Sequence, residues 1–396
     1  MNQVYNQFKD ELLNSCVAFW LNNGVDEEYG GVLTCLDRTG TVYSTDKSVW
    51  MQGRCGWMFS YIYNHIEKKQ EYLDFAKSCI DFATAHCIDK ADGRMYFKVT
   101  RDGKPLQKRR YFFSETFYII ANAEYYMATG DKAYLEEAKK YYDFVYGIYK
   151  NPASDPYKIT PKGFAETRNL KTLANPMIML NVAAIVRDAD KERYDYYNDC
   201  ITEFIADIKC FYKPEYKATF ENVRAEDNEV VLEASPCRVI NPGHDIECSW
   251  FILEEGIKRG DKELITFAET MFNDAFDLGW DKEYGGIIYF KDILGMPVEA
   301  YEHDMKLWWP QNETVIASLM LYYHTGNEKY KEIFDKVCDY AFKHFSDREY
   351  GEWFGYLRRD GKPTEPPCKG HTFKGPFHVM RMLAKCITII EENNKK

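Results

Sequence analysis

The sequence predicts an all-α fold, an (α/α)6 barrel of six helical hairpins with inner and outer helix rings, running as a single domain over residues 1–396. Three observations predict it. A loop signature recurs as Asp26-Glu-Glu-Tyr-Gly-Gly31, Asp281-Lys-Glu-Tyr-Gly-Gly286 and Asp347-Arg-Glu-Tyr-Gly-Glu352, with a weaker copy at Asp89-Lys-Ala-Asp-Gly-Arg94 and degenerate ones at Asp155-Pro-Tyr157 and Lys213-Pro-Glu-Tyr216. These six starts lie about 60–70 residues apart, the period of two helices plus their loops. Between them sits a second signal, Thr129-Gly-Asp-Lys132, Arg259-Gly-Asp-Lys262 and Thr325-Gly-Asn-Glu328, with the variant Asp188-Ala-Asp-Lys191. Glycine there caps one helix and Asp or Asn opens the next, so each unit has one tight helix-helix turn and one long Tyr/Gly-rich loop. Finally, the helices alternate in character, apolar after a long loop and charged after a short turn.

The apolar helices are expected at 50–66, 112–127, 173–186, 244–257, 308–323 and 377–390, and form the inner ring. Segments 131–146 and 261–276 carry charge on one face, as outer helices require. An open superhelical array has the same periodicity; six units lean toward a closed ring. In a closed ring the long loops and the N-termini of the inner helices share one end. Polar groups at those starts would then line a single mouth, where helix dipoles favour developing negative charge.

Composition narrows the function. The net charge of −11 and a pI near 5.4 argue against nucleic acid or an anionic membrane as partner. Aromatic residues make up 16% of the chain, a supply large enough to line a sugar or nucleotide pocket as well as a core. Twelve cysteines run from Cys16 to Cys386 with no Cys-x-x-Cys pair and no zinc spacing, so reduced thiols in a cytoplasmic protein are expected. The N-terminal stretch lacks an apolar signal core, and no window is long enough to span a membrane.

Polar residues do fall at the expected mouth: Arg54, Glu115, Asn175, His244, Glu247, Trp309, Gln311, Glu313 and His378. In Asn241-Pro-Gly-His-Asp-Ile-Glu-Cys-Ser-Trp250, His244 and Glu247 are three apart and share a helical face. Singly, each has a structural explanation: a capping histidine, a buried Arg54–Glu115 ion pair, tryptophans in a core. A metal triad of His244, Glu247 and His378 is disfavoured because the spacing matches no zinc motif. Paired carboxylates for glycoside hydrolysis could come from Glu115, Glu247 and Glu313. Two histidines at equivalent places in different units favour proton transfer next to a carbonyl instead, since imidazole takes or gives a proton near neutral pH. On this reading Glu247 orients His244, and Arg54 or a helix N-terminus holds the enolate oxygen.

The motifs Arg94-Met-Tyr-Phe, Arg109-Arg-Tyr-Phe-Phe-Ser-Glu115, Asn241 to Trp250, Lys306-Leu-Trp-Trp-Pro-Gln-Asn-Glu313 and Phe373-Lys-Gly-Pro-Phe-His-Val-Met-Arg381 together resemble the N-acylglucosamine 2-epimerase (renin-binding protein) family over essentially the whole chain. The resemblance implies an (α/α)6 barrel, usually a homodimer, that interconverts the small amino sugars N-acetylglucosamine and N-acetylmannosamine. It also implies His244 and His378 as the acid/base pair, with Glu247 and Arg54 beside them. Glu115, Asn175, Trp309, Gln311 and Glu313 would contact substrate, with no metal and no cofactor required for the chemistry. The chain departs from some relatives in having Gln311 in place of His, and from many in having Met380 in place of Pro. Some relatives use ATP as an allosteric activator. No Walker-type run is present here, although Lys369-Gly-His-Thr-Phe-Lys374 could offer basic residues to a phosphate. Aldose-ketose isomerisation or 2-epimerisation of an unacetylated sugar, such as mannose or cellobiose, and a non-catalytic partner-binding role are the alternatives.

Overall fold

The computed structural model describes residues 1–109, 111–157 and 164–395; Arg110, in one of the motifs above, lies outside them. The chain opens with a rod made of α1 (Asn2–Asp10), a π-helical turn (Glu11–Val17) and α2 (Ala18–Asn23). Helices then alternate as expected. The inner ones are α3 (Val49–His65), α5 (Phe113–Thr129), α7 (Ala174–Ala189), α10 (Pro242–Arg259), α12 (Trp308–Thr325) and α14 (His378–Asn394). The outer ones are α4 (Gln70–His86), α6 (Lys132–Lys150), α8 (Tyr194–Lys209), α11 (Lys262–Gly279) and α13 (Glu328–His344), while α9 (Ser235–Arg238) is a short turn within a loop. Every residue of α12 from Trp308 to Leu321 is buried, which an inner helix walled on all sides demands.

The short turns follow the capping logic. Gly130, Gly260 and Gly326 sit at φ of 73°, 66° and 66°, where a side chain would be strained. The next residue caps the outgoing helix: Asp131 accepts from Ala133 N–H, Asp261 from Glu263 and Leu264 N–H, and Asn327 from Lys329 N–H. The turn at Asp188 to Lys191 has no such glycine; Asp190 is buried and accepts from Tyr197 Oη at 3.1 Å.

The ring closes. Each inner helix packs on the next, and α14 returns to α3. The sixth hairpin is completed by the N-terminal rod, an outer helix the loop signature does not announce. Phe8 stacks on Phe342 of α13 (5.6 Å between centroids), and Tyr5 Oη donates to Glu391 of α14 (2.6 Å). The recurring Asp explains the loops as well as marking them. Asp26 binds Lys47 of its own unit (2.8 Å) and Arg101 of the next (2.8 Å); Asp281 binds Lys306 (2.9 Å) and Arg359 (2.9 Å) in the same way. In the last unit, Asp347 binds Lys369 (3.0 Å) and then Arg38 of the first unit (2.7 Å), so the same clasp shuts the circle. All twelve thiols are free, and no helix among the described residues is long and apolar enough to cross a membrane.

Candidate active site

The mouth formed by the starts of the inner helices carries both histidines. Asn241 caps α10 by accepting from Gly243 and His244 N–H, and Pro242 occupies the first helical position, where its missing N–H costs nothing. Gly243 is required by a close approach, because a Cβ there would lie 2.6 Å from the Trp309 ring. That indole sits 5.0 Å from the His244 ring and 5.9 Å from the His378 ring, so one side chain packs against both imidazoles.

Each histidine is tied through Nδ1 to a different carboxylate: His244 to Glu221 (2.9 Å) and His378 to Glu313 (2.8 Å). With Nδ1–H donating to a carboxylate, the neutral ring keeps its lone pair on Nε2, which has no partner among the described residues. The sequence reading gave Glu247 as the partner of His244. The structure corrects this: Glu247 is ion-paired with Arg381, which also holds Glu313 at 2.8 Å. Glu221 instead comes from the loop before α9, just ahead of a short strand (Asn222–Arg224) paired with Leu170–Thr172.

The environments push the two imidazoles apart. Burial pulls the proton affinity of His244 down, but the charge and hydrogen bond of Glu221, with Glu247 behind, outweigh it and raise the pKa above the ordinary value. His378 is driven well below that value by burial and by the positive charges of Arg381 and Arg54. Divergent proton affinities of this kind are what acid–base chemistry asks of a pair of titratable groups. Arg54 is buried, its Nε–H donates to nothing among the described residues, and it lies over Phe117 (4.2 Å) and Phe377 (4.7 Å); burial lowers its pKa to about 9, which leaves it charged at neutral pH.

Repeat geometry explains the layer beneath. Arg54, Glu247 and Glu313 are each the sixth residue of their inner helix. The fourth residue is a clamp in two units: Gln52 exchanges two hydrogen bonds with the backbone of Val32 (2.9 and 2.8 Å), and Gln311 does the same with Ile287 (2.8 and 2.8 Å). Gln311 is thus fully buried and committed to structure, which removes it from the expected substrate contacts. In the last unit Glu352 takes the clamp's place. Held at φ 55°, it accepts from the next backbone N–H, that of Trp353, at 2.9 Å. The fourth residue of α14 is thereby released, and it is Arg381.

Glu115 is also removed from the expected contacts. It is buried against Arg94 (2.6 Å) and the Met95 N–H (2.7 Å), not against Arg54. Asn175 is half-buried on the first turn of α7, and its amide makes no hydrogen bond among the described residues. Lys369 and Lys374 are buried and paired with Asp347 and Glu352, so neither is available for a phosphate. Glu247, Glu313 and His378 bring ligand atoms within 4.8 Å of one another, the one such cluster among the described residues, but Arg381 already supplies the cation between the carboxylates. A metal ion would have to displace it. Sequence reasoning missed Glu221, Arg381 and Trp250, whose Nε1 donates to Glu313 at 2.9 Å. Arg381 was within reach of the spacing rule that singled out Glu247, since it lies three residues after His378 on the same face. Trp250 and Arg381 also form part of the floor of a cavity of about 760 Å³ at the opposite end of the barrel, so this layer separates the two ends.

A closed helical barrel with two imidazoles packed on one tryptophan over a ring of paired charges is built for acid–base chemistry. Residues 31–380 match the N-acylglucosamine 2-epimerase (GlcNAc 2-epimerase) family, and the chain belongs to it. It is 39% identical over 380 residues to N-acylglucosamine 2-epimerase of Bos taurus (94% of this chain, 88% of the relative) and 36% identical over 388 residues to that of Homo sapiens (97% and 90%). The structure of cellobiose 2-epimerase from Bacillus thermoamylovorans B4167 superposes with a TM-score of 0.84 at 23% identity, covering 99% of this chain and all of that one, which shows the shared fold.

Proposed function

We propose that this chain interconverts N-acetylglucosamine and N-acetylmannosamine by moving the C2 proton of the open-chain sugar between its two faces. The observation that carries the reading is the pair His244 and His378, both packed on Trp309 and each tethered through Nδ1 to its own carboxylate. In one direction neutral His378 takes the C2 proton on Nε2, the C2–H electron pair moves into the enolate, and protonated His244 returns a proton to the opposite face. Arg54 and the helix N-termini at the mouth stabilise the enolate oxygen. In the other direction the roles exchange, because the two resting states differ only in which ring holds the proton. Glu313 and Glu221 orient the rings, and Arg381 pairs with both Glu313 and Glu247.

The sequence support is the level of identity to mammalian proteins carrying that name. The chemistry needs no metal or cofactor, and we take the protein to act as a cytoplasmic homodimer, which sedimentation tests. Incubation with N-acetylmannosamine in deuterated water should give N-acetylglucosamine labelled at C2, with mannose and cellobiose as comparison substrates and ATP present or absent. Unlabelled product, or no product under any of these conditions, overturns the reading.

A further inference from the structure

The mouth has a second half that the proton transfer does not use. On the side of α3, α5 and the loop before α14, Trp50 meets Phe97 (5.2 Å), Phe373 (5.9 Å) and Phe117 (5.8 Å), forming an aromatic cup beside Arg54. Above it lies Arg109, its guanidinium 3.9 Å over the Phe97 ring and 5.5 Å from Phe373. Four buried lysines around this end are neutralised: Lys47 by Asp26, Lys306 by Asp281, Lys369 by Asp347 and Lys374 by Glu352. Arg109 makes no ion pair and no hydrogen bond among the described residues. In a chain with 62 acidic and 51 basic residues, a half-buried guanidinium left without a carboxylate has its donors free for something else.

A second free donor flanks the same cup. His371 Nδ1 accepts from Phe373 N–H at 3.0 Å, which places its proton on Nε2, and that atom is buried with no partner among the described residues. Aromatic faces with open donors at their edge suit a ligand with an apolar C–H surface rimmed by oxygen acceptors, which is the makeup of a sugar carbon chain.

We propose that Arg109, with Trp50, Phe97 and Phe373, forms a distal subsite that holds the non-reacting end of the hexosamine, the hydroxyl-bearing carbons C4 to C6, while C2 lies between the imidazoles. The inference rests on the sugar reading of the mouth. Arg109 is then a specificity-determining residue: it contributes to binding equally in ground and transition states, so its loss raises KM and leaves kcat nearly unchanged.

The test compares wild type, Arg109→Ala and Arg109→Lys on N-acetylmannosamine and on its 4-deoxy and 6-deoxy analogues. A hydrogen bond to a charged group corresponds to roughly a 10- to 150-fold effect. Arg109→Ala should raise KM about tenfold or more, Arg109→Lys should recover part of it by keeping the charge without the fork, and one deoxy analogue should be penalised in wild type but not in Arg109→Ala. An unchanged KM, a fall confined to kcat, or equal deoxy penalties in wild type and variant overturns the subsite. Calorimetric binding of the non-reacting alditol of N-acetylglucosamine separates the two readings. Binding that depends on Arg109 without C2 exchange in wild type sinks the reaction and leaves the subsite; C2 exchange with binding indifferent to Arg109 does the reverse.

Discussion

Glu221→Gln separates charge from geometry at His244. The amide oxygen can still accept from Nδ1–H at the 2.9 Å contact, so the ring keeps its orientation, but the negative charge that outweighs burial is gone. A carboxylate at this range shifts a partner's pKa by about 1–3 units, each worth about 1.4 kcal/mol. The sign follows from the roles. In the proposed forward step His244 must be protonated and its value is raised, so the competent form is full below that value and is lost as pH rises through it. His378 must be neutral and its value is lowered, so its competent form is full above that value and is lost as pH falls through it. The pH profile of kcat/KM should therefore be a broad bell, and Glu221→Gln should pull only the alkaline limb down, by about 1–3 units. Deuterium exchange at C2, followed across pH in both directions, reads this out. An unmoved alkaline limb, or movement of the acid limb instead, would refute the assignment of Glu221 and His244.

Other substitutions sort chemistry from scaffold. His378→Ala should abolish C2 exchange while leaving the fold intact by circular dichroism; retained exchange would favour a non-catalytic role. Gln311→Ala strands the Ile287 backbone groups and should cost about 1–3 kcal/mol in urea unfolding with KM unchanged. Glu115→Ala leaves Arg94 short of its buried partner, with an expected loss of about 3 kcal/mol and again no change in KM. Burial alone would raise the pKa of Asp26 and Asp347, but bonds from Arg101 and Lys47, and from Arg38 and Lys369, hold both at about 2. Each therefore contributes roughly 2 kcal/mol above the unfolded value near 3.9, lost as pH falls through the folded one. Thermal melts should drop steeply below about pH 4, and less so for Asp26→Asn.

The architecture was legible because its signals are local and repeat. A glycine in the left-handed region followed by an Asp or Asn cap reads the same at Gly130, Gly260 and Gly326, and an inner helix such as α12 carries apolar residues on every side beyond its first turns. The completion of the ring by residues 2–23 was hidden, because that rod precedes the first loop signature and pairs with α14 only through closure. At the site, the positions of His244 and His378 could be read from their motifs, whereas their partners could not. Glu221 lies in a loop 23 residues before His244 with no spacing rule to connect them. Gln311 and Glu115 misled for the opposite reason: they stand at the right helical turn, but their side chains point back into the wall that holds the loops.

The unequal fates of equivalent positions show how a repeating scaffold acquires a single active centre. Two units use a glutamine at the fourth inner-helix residue to pin the loop below, and there a second glycine at φ 76° or 77° makes room; a Cβ on Gly31 would lie 2.3 Å from Gln52 Oε1. In the last unit the glycine has become Glu352, which accepts the backbone N–H itself and also binds Trp20 Nε1 (2.6 Å) and Lys374 (3.1 Å). With the loop pinned from below, the helix position no longer needs an amide and can carry Arg381, the cation that pairs with Glu247 and Glu313 and, adding to burial, lowers the proton affinity of His378. Restoring the repeat at only one of these positions is therefore harmful. Glu352→Gly should destabilise the loop before α14 by removing three polar contacts, and Arg381→Gln should take away one of the two positive charges that, together with burial, hold the proton affinity of His378 down, so that this affinity rises. The acid limb of the pH profile would then move up in Arg381→Gln and stay in place in Glu352→Gly, a split that a purely structural role for Arg381 does not produce.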